Sequence, residues 1–145
     1  MKENEPENYK KIAKIMLPKD YLAYRLSGSF CTDMSDASGM LLMDVENRCW
    51  SKEMLDICGL EQEQLPKLYE SYEVVGTLKP EVAKELGFSE NVKVIAGAGD
   101  NAAAAVGTGT VGNGRCNISL GTSGTIFISS EKFGVDKHNA LHSFA

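Results

Sequence analysis

Two-thirds of the way along the chain a strand-like run, Val92-Lys93-Val94-Ile95-Ala96, passes directly into Gly97-Ala98-Gly99-Asp100-Asn101 and then into the small residues Ala102 to Ala105. An apolar strand followed at once by a helix-forming run demands an α/β arrangement, and ligands of open α/β sheets gather where strands end and helices begin. Glycines there let another molecule approach the backbone. Asp100 at such a junction suits a general base facing a cleft. The run after Asn101 carries no bulk until Val106, so its helix can pack closely against a neighbour or a domain hinge. The same spacing also fits a humbler role, because Asp is a good helix N-cap and Asp100 can simply close the alanine helix. Spacing alone leaves both open.

A second glycine-rich segment, Leu120-Gly121-Thr122-Ser123-Gly124-Thr125, lies between two more strand-like runs, Cys116 to Leu120 and Thr125 to Ser129. Glycines free backbone N–H groups to converge on an anion, and hydroxyls add donors. No lysine follows as in a GxxxxGK[ST] loop, and a plain hairpin turn favours the same residues. Two further groupings are weaker. His138 and His142 could share a helix face, but no third ligand stands at metal-site spacing. Asp33 and Asp36 could serve acid–base chemistry, yet capping explains them more simply.

The first ninety residues read as mainly helical. Ile12, Ile15 and Met16 recur at helical steps within Pro6 to Leu26, with Pro18 interrupting the run. Asp20 then reads as the N-cap for Tyr21 to Leu26, and Gly28 as the stop. Phe30 to Thr32 reads as a short strand. Leu41 to Val45 is an apolar run ending in the turn Glu46-Asn47-Arg48. Ser51 caps a helix with Met54, Leu55 and Cys58 inside and Gly59 at its end. Pro80 opens another, with Val82, Ala83 and Leu86 inside and Gly87 at its end.

Composition excludes several classes. A formal charge of −5, with basic residues scattered apart from Lys10, Lys11 and Lys14, argues against a nucleic-acid footprint. That lysine trio reads as a solvated helix face. No apolar run approaches the ~20 residues of a membrane span, and the acidic, polar N-terminus is unlike a signal peptide. Cys31, Cys49, Cys58 and Cys116 lack CxxC spacing, which reads as reduced thiols in a cytoplasmic protein.

Taken together, Lys19-Asp20-Tyr21-Leu22-Ala23-Tyr24-Arg25-Leu26-Ser27-Gly28, Thr32-Asp33-Met34-Ser35-Asp36-Ala37-Ser38-Gly39-Met40, Gly97-Ala98-Gly99-Asp100-Asn101-Ala102-Ala103 and Ser119-Leu120-Gly121-Thr122-Ser123-Gly124 resemble the FGGY carbohydrate kinases. The Leu42-Met43-Asp44-Val45 run, Leu65 to Ser71, Asn101 and His142-Ser143-Phe144 resemble the branch of that family acting on D-xylulose. The resemblance runs from about residue 3 to the end. It implies an α/β chain of ribonuclease-H-like, actin-like ATPase fold, incomplete: residues 1–107 as the later part of the N-terminal lobe and 108–145 as the first strands of the C-terminal lobe. It further implies ATP and Mg²⁺ as cofactors and a small-molecule sugar as substrate, with no nucleic acid or membrane partner, and leaves room for a homodimer of the complete enzyme. Asp100 would take the proton from the attacking sugar hydroxyl, Asn101 would hydrogen-bond the sugar, and Gly121, Thr122, Ser123 and Gly124 would hold ATP phosphates. No residue is assigned to a metal.

The departures matter as much. The family's opening phosphate hairpin, its early sugar-contacting segment and most of its adenosine-binding lobe are absent, so the expectation is a partial chain without activity of its own. The complete protein is expected to convert D-xylulose to D-xylulose 5-phosphate. Ribulose, glycerol or a similar polyol is the alternative substrate, and a non-catalytic remnant or interaction module the alternative class.

Overall fold

The computed structural model describes every residue except Asn139 and Ala140. Its described part is built of short helices and four separate two-stranded sheets. The expected long N-terminal helix does not form. Helix α1 covers only Pro6–Tyr9, and the chain from Ile12 to Leu17 runs without regular structure until α2 (Pro18–Ser27). Pro18 is the reason, since proline starts helices well but cannot continue one. Lys10, Lys11 and Lys14 therefore do not share a helix face; Lys14 donates to the Glu63 carbonyl at 2.6 Å and stands over the Phe30 ring.

Leu17, not Asp20, is the N-cap of α2. Asp20 sits one turn in, and its Oδ2 reaches back to accept the Leu17 N–H at 3.0 Å. That leaves the acid where the helix dipole favours negative charge. Gly28 ends the helix at φ 83°, a conformation that glycine adopts without strain.

Strand β1 (Cys31–Asp33) follows and pairs in parallel with β4 (Lys67–Tyr69), Thr32 opposite Leu68. All three β1 residues are buried. Between these strands come α3 (Met34–Ser38), the hairpin of β2 (Met43–Asp44) and β3 (Cys49–Trp50), α4 (Lys52–Cys58) and a 3₁₀ turn at Gln62–Gln64. Ala37, Leu42, Met43, Trp50, Leu55 and Leu65 form the hydrophobic core here. The indole N–H of Trp50 donates to the Pro66 carbonyl at 2.9 Å, so its burial leaves no donor orphaned. Ser51 caps α4 as expected, but Cys58 faces solvent. No pair of the cysteines is bridged.

Strand β5 (Val74–Thr77), with no counterpart in the sequence reading, pairs antiparallel with β6 (Lys93–Ile95). Helix α5 (Pro80–Leu86) connects them and buries Ala83, whereas Leu86 is exposed. Strand β6 was expected to be buried. Its residues are exposed or half-buried, and only Ala96 beyond it is fully covered, because a two-stranded ribbon has no neighbour on its outer edge. Helix α6 (Asp100–Gly107) follows. Strands β7 (Cys116–Leu120) and β8 (Gly124–Ile128) then form an antiparallel hairpin in continuous register. Ile118, Leu120, Ile126 and Ile128 all stand exposed on it. No helix among the described residues is long and apolar enough to cross a membrane.

Candidate functional site

Three chain segments distant in sequence meet around the ammonium of Lys19. Position 19 is in the first turn of α2, and its Nζ lies 3.1 Å from Asp20 Oδ1, 2.9 Å from Asp33 Oδ1 and 3.7 Å from Asp36 Oδ2. The same ammonium donates to the carbonyl of Ala96 at 3.0 Å. Asp20 and Asp33 are fully buried, and buried carboxylates need charge or hydrogen-bond partners to remain in a fold. Burial by itself lowers the affinity of Lys19 for its proton. The hydrogen bond and charge of Asp33, with those of Asp20, outweigh that and raise its pKa above the usual lysine value.

Asp33 is the structural centre of the group. As the N-cap of α3 it accepts the Ser35 and Asp36 N–H groups through Oδ2, at 2.9 and 3.3 Å. The same oxygen takes the hydroxyls of Ser35 and Ser71. Its Oδ1 takes no aligned hydrogen bond and is balanced by the Lys19 charge. The sequence reading of Asp33 and Asp36 as capping residues is therefore correct for Asp33, while Asp36 lies in the first turn. The Asp36 carboxyl is pushed up from the ordinary aspartate value, chiefly by burial. Lys19 pulls it down, and Asp33, Asp20 and Asp100 add repulsion.

The Gly97–Asp100 turn is tied to this group at three points. Lys19 holds the Ala96 carbonyl, the Gly97 N–H donates to the Ser71 carbonyl at 3.0 Å, and the Gly99 N–H donates to Ser35 Oγ at 2.9 Å. Gly97 sits at φ 82°, and a Cβ there would meet the Lys19 stem at 3.2 Å. Gly99, not Asp100, is the N-cap of α6. Asp100 is the first residue of the helix, exposed, and its carboxylate has one hydrogen bond among the described residues, from its neighbour Asn101 N–H at 2.7 Å. The plain N-cap role is thus taken by another residue. Asn101 is half-buried beside it.

The segment Gly121–Gly124 is the tip of the β7–β8 hairpin, with Leu120 opposite Gly124. Gly121 N–H donates to the Ser123 carbonyl at 3.0 Å, and all four residues are exposed. No hydrogen bond or ion pair among the described residues joins this tip to Asp100. The hairpin's base is tied back instead, by Asn117 Nδ2 to Thr108 Oγ1 at 3.0 Å and Arg115 to the Gly109 carbonyl at 3.0 Å. The stretch between His138 and His142 includes residues outside those described. His142 itself places a ring nitrogen 2.9 Å from the Ser38 carbonyl and stacks on Phe144.

Lys19, Ser35 and Ser71 were not singled out in the sequence as site residues. The available signal was the charged pair Lys19-Asp20 at a helix start, next in sequence to a segment dense in Asp and Ser.

Comparison with known proteins shows the family of the chain. Residues 1–107 match the N-terminal domain of the FGGY family of carbohydrate kinases. The xylulose kinase of Escherichia coli K12 is 50% identical over 141 residues, which are 97% of this chain and 29% of that protein. A solved "xyloylose kinase" from Brucella ovis superposes with a TM-score of 0.93 at 42% identity, covering 99% of this chain and 30% of that one. A solved gluconate kinase from Lactobacillus acidophilus reaches a TM-score of 0.82 at 32% identity, covering 86% of this chain and 25% of that one. The chain thus spans under a third of the length of the relatives it matches.

Proposed function

This chain belongs to the FGGY family of carbohydrate kinases, with part of that family's actin-like ATPase fold, and on that premise we propose that it carries the proton-accepting region of an ATP-dependent sugar kinase. The observation that carries the reading is Asp100: an exposed carboxylate at the start of a helix, hydrogen-bonded among the described residues only by its neighbour, on a turn held from three sides. Phosphoryl transfer needs mainly positioning and charge stabilisation. A fixed turn supplies the first. Asp100 accepts the proton of the sugar hydroxyl as it attacks, and Asn101 donates to a neighbouring hydroxyl of the sugar.

Gly121, Thr122, Ser123 and Gly124 hold ATP phosphates through N–H and hydroxyl donors. Among the described residues the Thr122 and Ser123 hydroxyls have no hydrogen-bond partner, which supports this, since a turn of that shape needs no hydroxyl pair. Mg²⁺ fits as an ion carried in on the nucleotide. It is commonly held by phosphate oxygens and waters with one or two carboxylates, and no cluster of three His, Cys, Asp or Glu that could hold a metal occurs among the described residues. When bound it would neutralise charge on the transferring group. We place the change of domain after residue 107 and the complete protein in the cytoplasm.

The substrate is D-xylulose, a choice supported by relatives such as the xylulose kinase of Escherichia coli K12, 50% identical over 97% of this chain. The complete protein, assayed for ADP release with ATP and Mg²⁺, should give its highest kcat/KM with D-xylulose over ribulose, glycerol and gluconate. A higher value with any of the others overturns the choice of sugar. No sugar-dependent turnover at all favours the non-catalytic alternative.

A further inference from the structure

Among the described residues the Asp100 carboxylate has no hydrogen bond or ion pair to a distant residue, so its position comes from the backbone that bears it. That backbone is held by groups far away in sequence: Lys19 on Ala96, Ser71 on Gly97 and Ser35 on Gly99. All three of these holders converge on one side chain. Ser35 and Ser71 both donate their hydroxyls to Asp33 Oδ2, and Lys19 lies against Asp33 Oδ1. We propose that Lys19 is the positioning residue for Asp100, fixing the turn that bears it by joining the Ala96 carbonyl to the buried carboxylates of Asp20 and Asp33.

The chemistry requires a cation with a long apolar stem at this place. Its head must balance two carboxylates that are fully buried, and its stem must run past a glycine too crowded to accept a Cβ without displacement. A neutral side chain of the same length fills the space but leaves both carboxylates without a counter-charge and the Ala96 carbonyl without its donor. The turn then keeps its bonds from the Ala96, Gly97 and Gly99 N–H groups but loses the one that joins it to α2. A displacement of Asp100 by about 1 Å suffices to cost ~10²-fold in rate, because a near-attack geometry tolerates little error.

Groups binding ATP elsewhere keep their contacts, so the loss falls on kcat and leaves KM for ATP in place. This inference rests on the reading of Asp100 as the base, and the test separates the two. In the complete protein, K19M should lower kcat by about 10–10²-fold while KM for ATP stays within about threefold, measured at a temperature where circular dichroism shows the variant folded. K19R keeps the charge and should recover part of kcat. S35A removes the Gly99 tie and the Ser35 hydroxyl's bond to Asp33, keeps Lys19 and should lower kcat by a smaller factor; K19R, which retains the charge, decides the matter if K19M does not fold. D100N is measured beside them. Folded K19M or S35A with undiminished kcat, while D100N has lost it, overturns this inference alone. A D100N protein that retains kcat overturns the reading of Asp100 and this inference with it.

Discussion

The chain contains two glycine-rich turns of similar composition and opposite construction. Gly97–Asp100 is held from outside, by a lysine 77 residues away in sequence from the carbonyl it binds and by a serine 64 residues from the glycine it binds. Among the described residues Gly121–Gly124 is held only by its own hairpin, whose tip closes on itself through Gly121 and Ser123. The first turn sits beside two fully buried carboxylates; the second has exposed apolar strands on either side. Rigidity before ligand binding suits a group that must meet a reacting atom. A tip with unengaged hydroxyls suits a group that waits for a charged partner to order it. The two should therefore fail differently when altered.

The largest effect is expected at the buttressed turn. Asp100→Asn in the complete protein is nearly isosteric and keeps a hydrogen bond to the sugar hydroxyl, so calorimetry should still detect sugar binding. An amide cannot take the proton, and a positioned base contributes ~10²–10⁴-fold. A coupled assay should show kcat falling by that factor. Retention of more than about a tenth of kcat would return Asp100 to a structural role.

Next in size is the hairpin tip. Thr122→Val keeps the side-chain shape and removes one donor, costing a hydrogen bond to a charged group of ~1.5–3 kcal/mol. That is roughly a tenfold or greater rise in KM for ATP, with sugar affinity unchanged. Equal KM and kcat in both proteins would make the tip a plain turn and end the comparison.

The contrast also explains what was legible in the sequence. Local punctuation read well: Gly28, Gly59 and Gly87 all adopt positive φ at helix ends, Ser51 caps α4, and Pro80 opens α5. These positions depend on neighbours a few residues away. The hairpin from Cys116 to Ile128 was legible for the same reason, since its pairing partners are adjacent. What was not legible depended on distant contacts. The apolar period at Ile12, Ile15 and Met16 does not become a helix; the Ile15 N–H is taken by the Gln64 carbonyl at 2.8 Å and the Ile12 carbonyl by the Gln64 amide. Strand β5 emerges only because β6 lies beside it. Asp100 was visible as a candidate from its glycines, but the lysine that steadies its turn could not be found by spacing. Nothing within one helical turn of Lys19 points to Ala96.

The smallest effect tests the electrostatics of the buttressed turn, and it has a definite sign. The Asp36 carboxyl is raised in the folded protein, first by burial, with Lys19 opposing and Asp33, Asp20 and Asp100 adding to the rise. A raised carboxyl means that the folded state holds this proton more tightly than the unfolded chain does. Stability from this group is then fully present below the unfolded pKa and is lost as pH rises through the folded one. Asparagine at 36 does not titrate. The melting temperature of D36N relative to the parent should therefore increase as pH rises from below the ordinary aspartate range to neutrality, and level off above it. The side chain remains partly exposed, so solvent screening keeps the change under ~1 kcal/mol. Any constant offset from the amide's own hydrogen bonding leaves this slope untouched. Thr122→Val, in a region with no such carboxylate group, should show a pH-independent difference from the parent. A flat difference for D36N as well would mean that the carboxylates around Lys19 are balanced in the folded state, and that the two turns differ in hydrogen bonding alone.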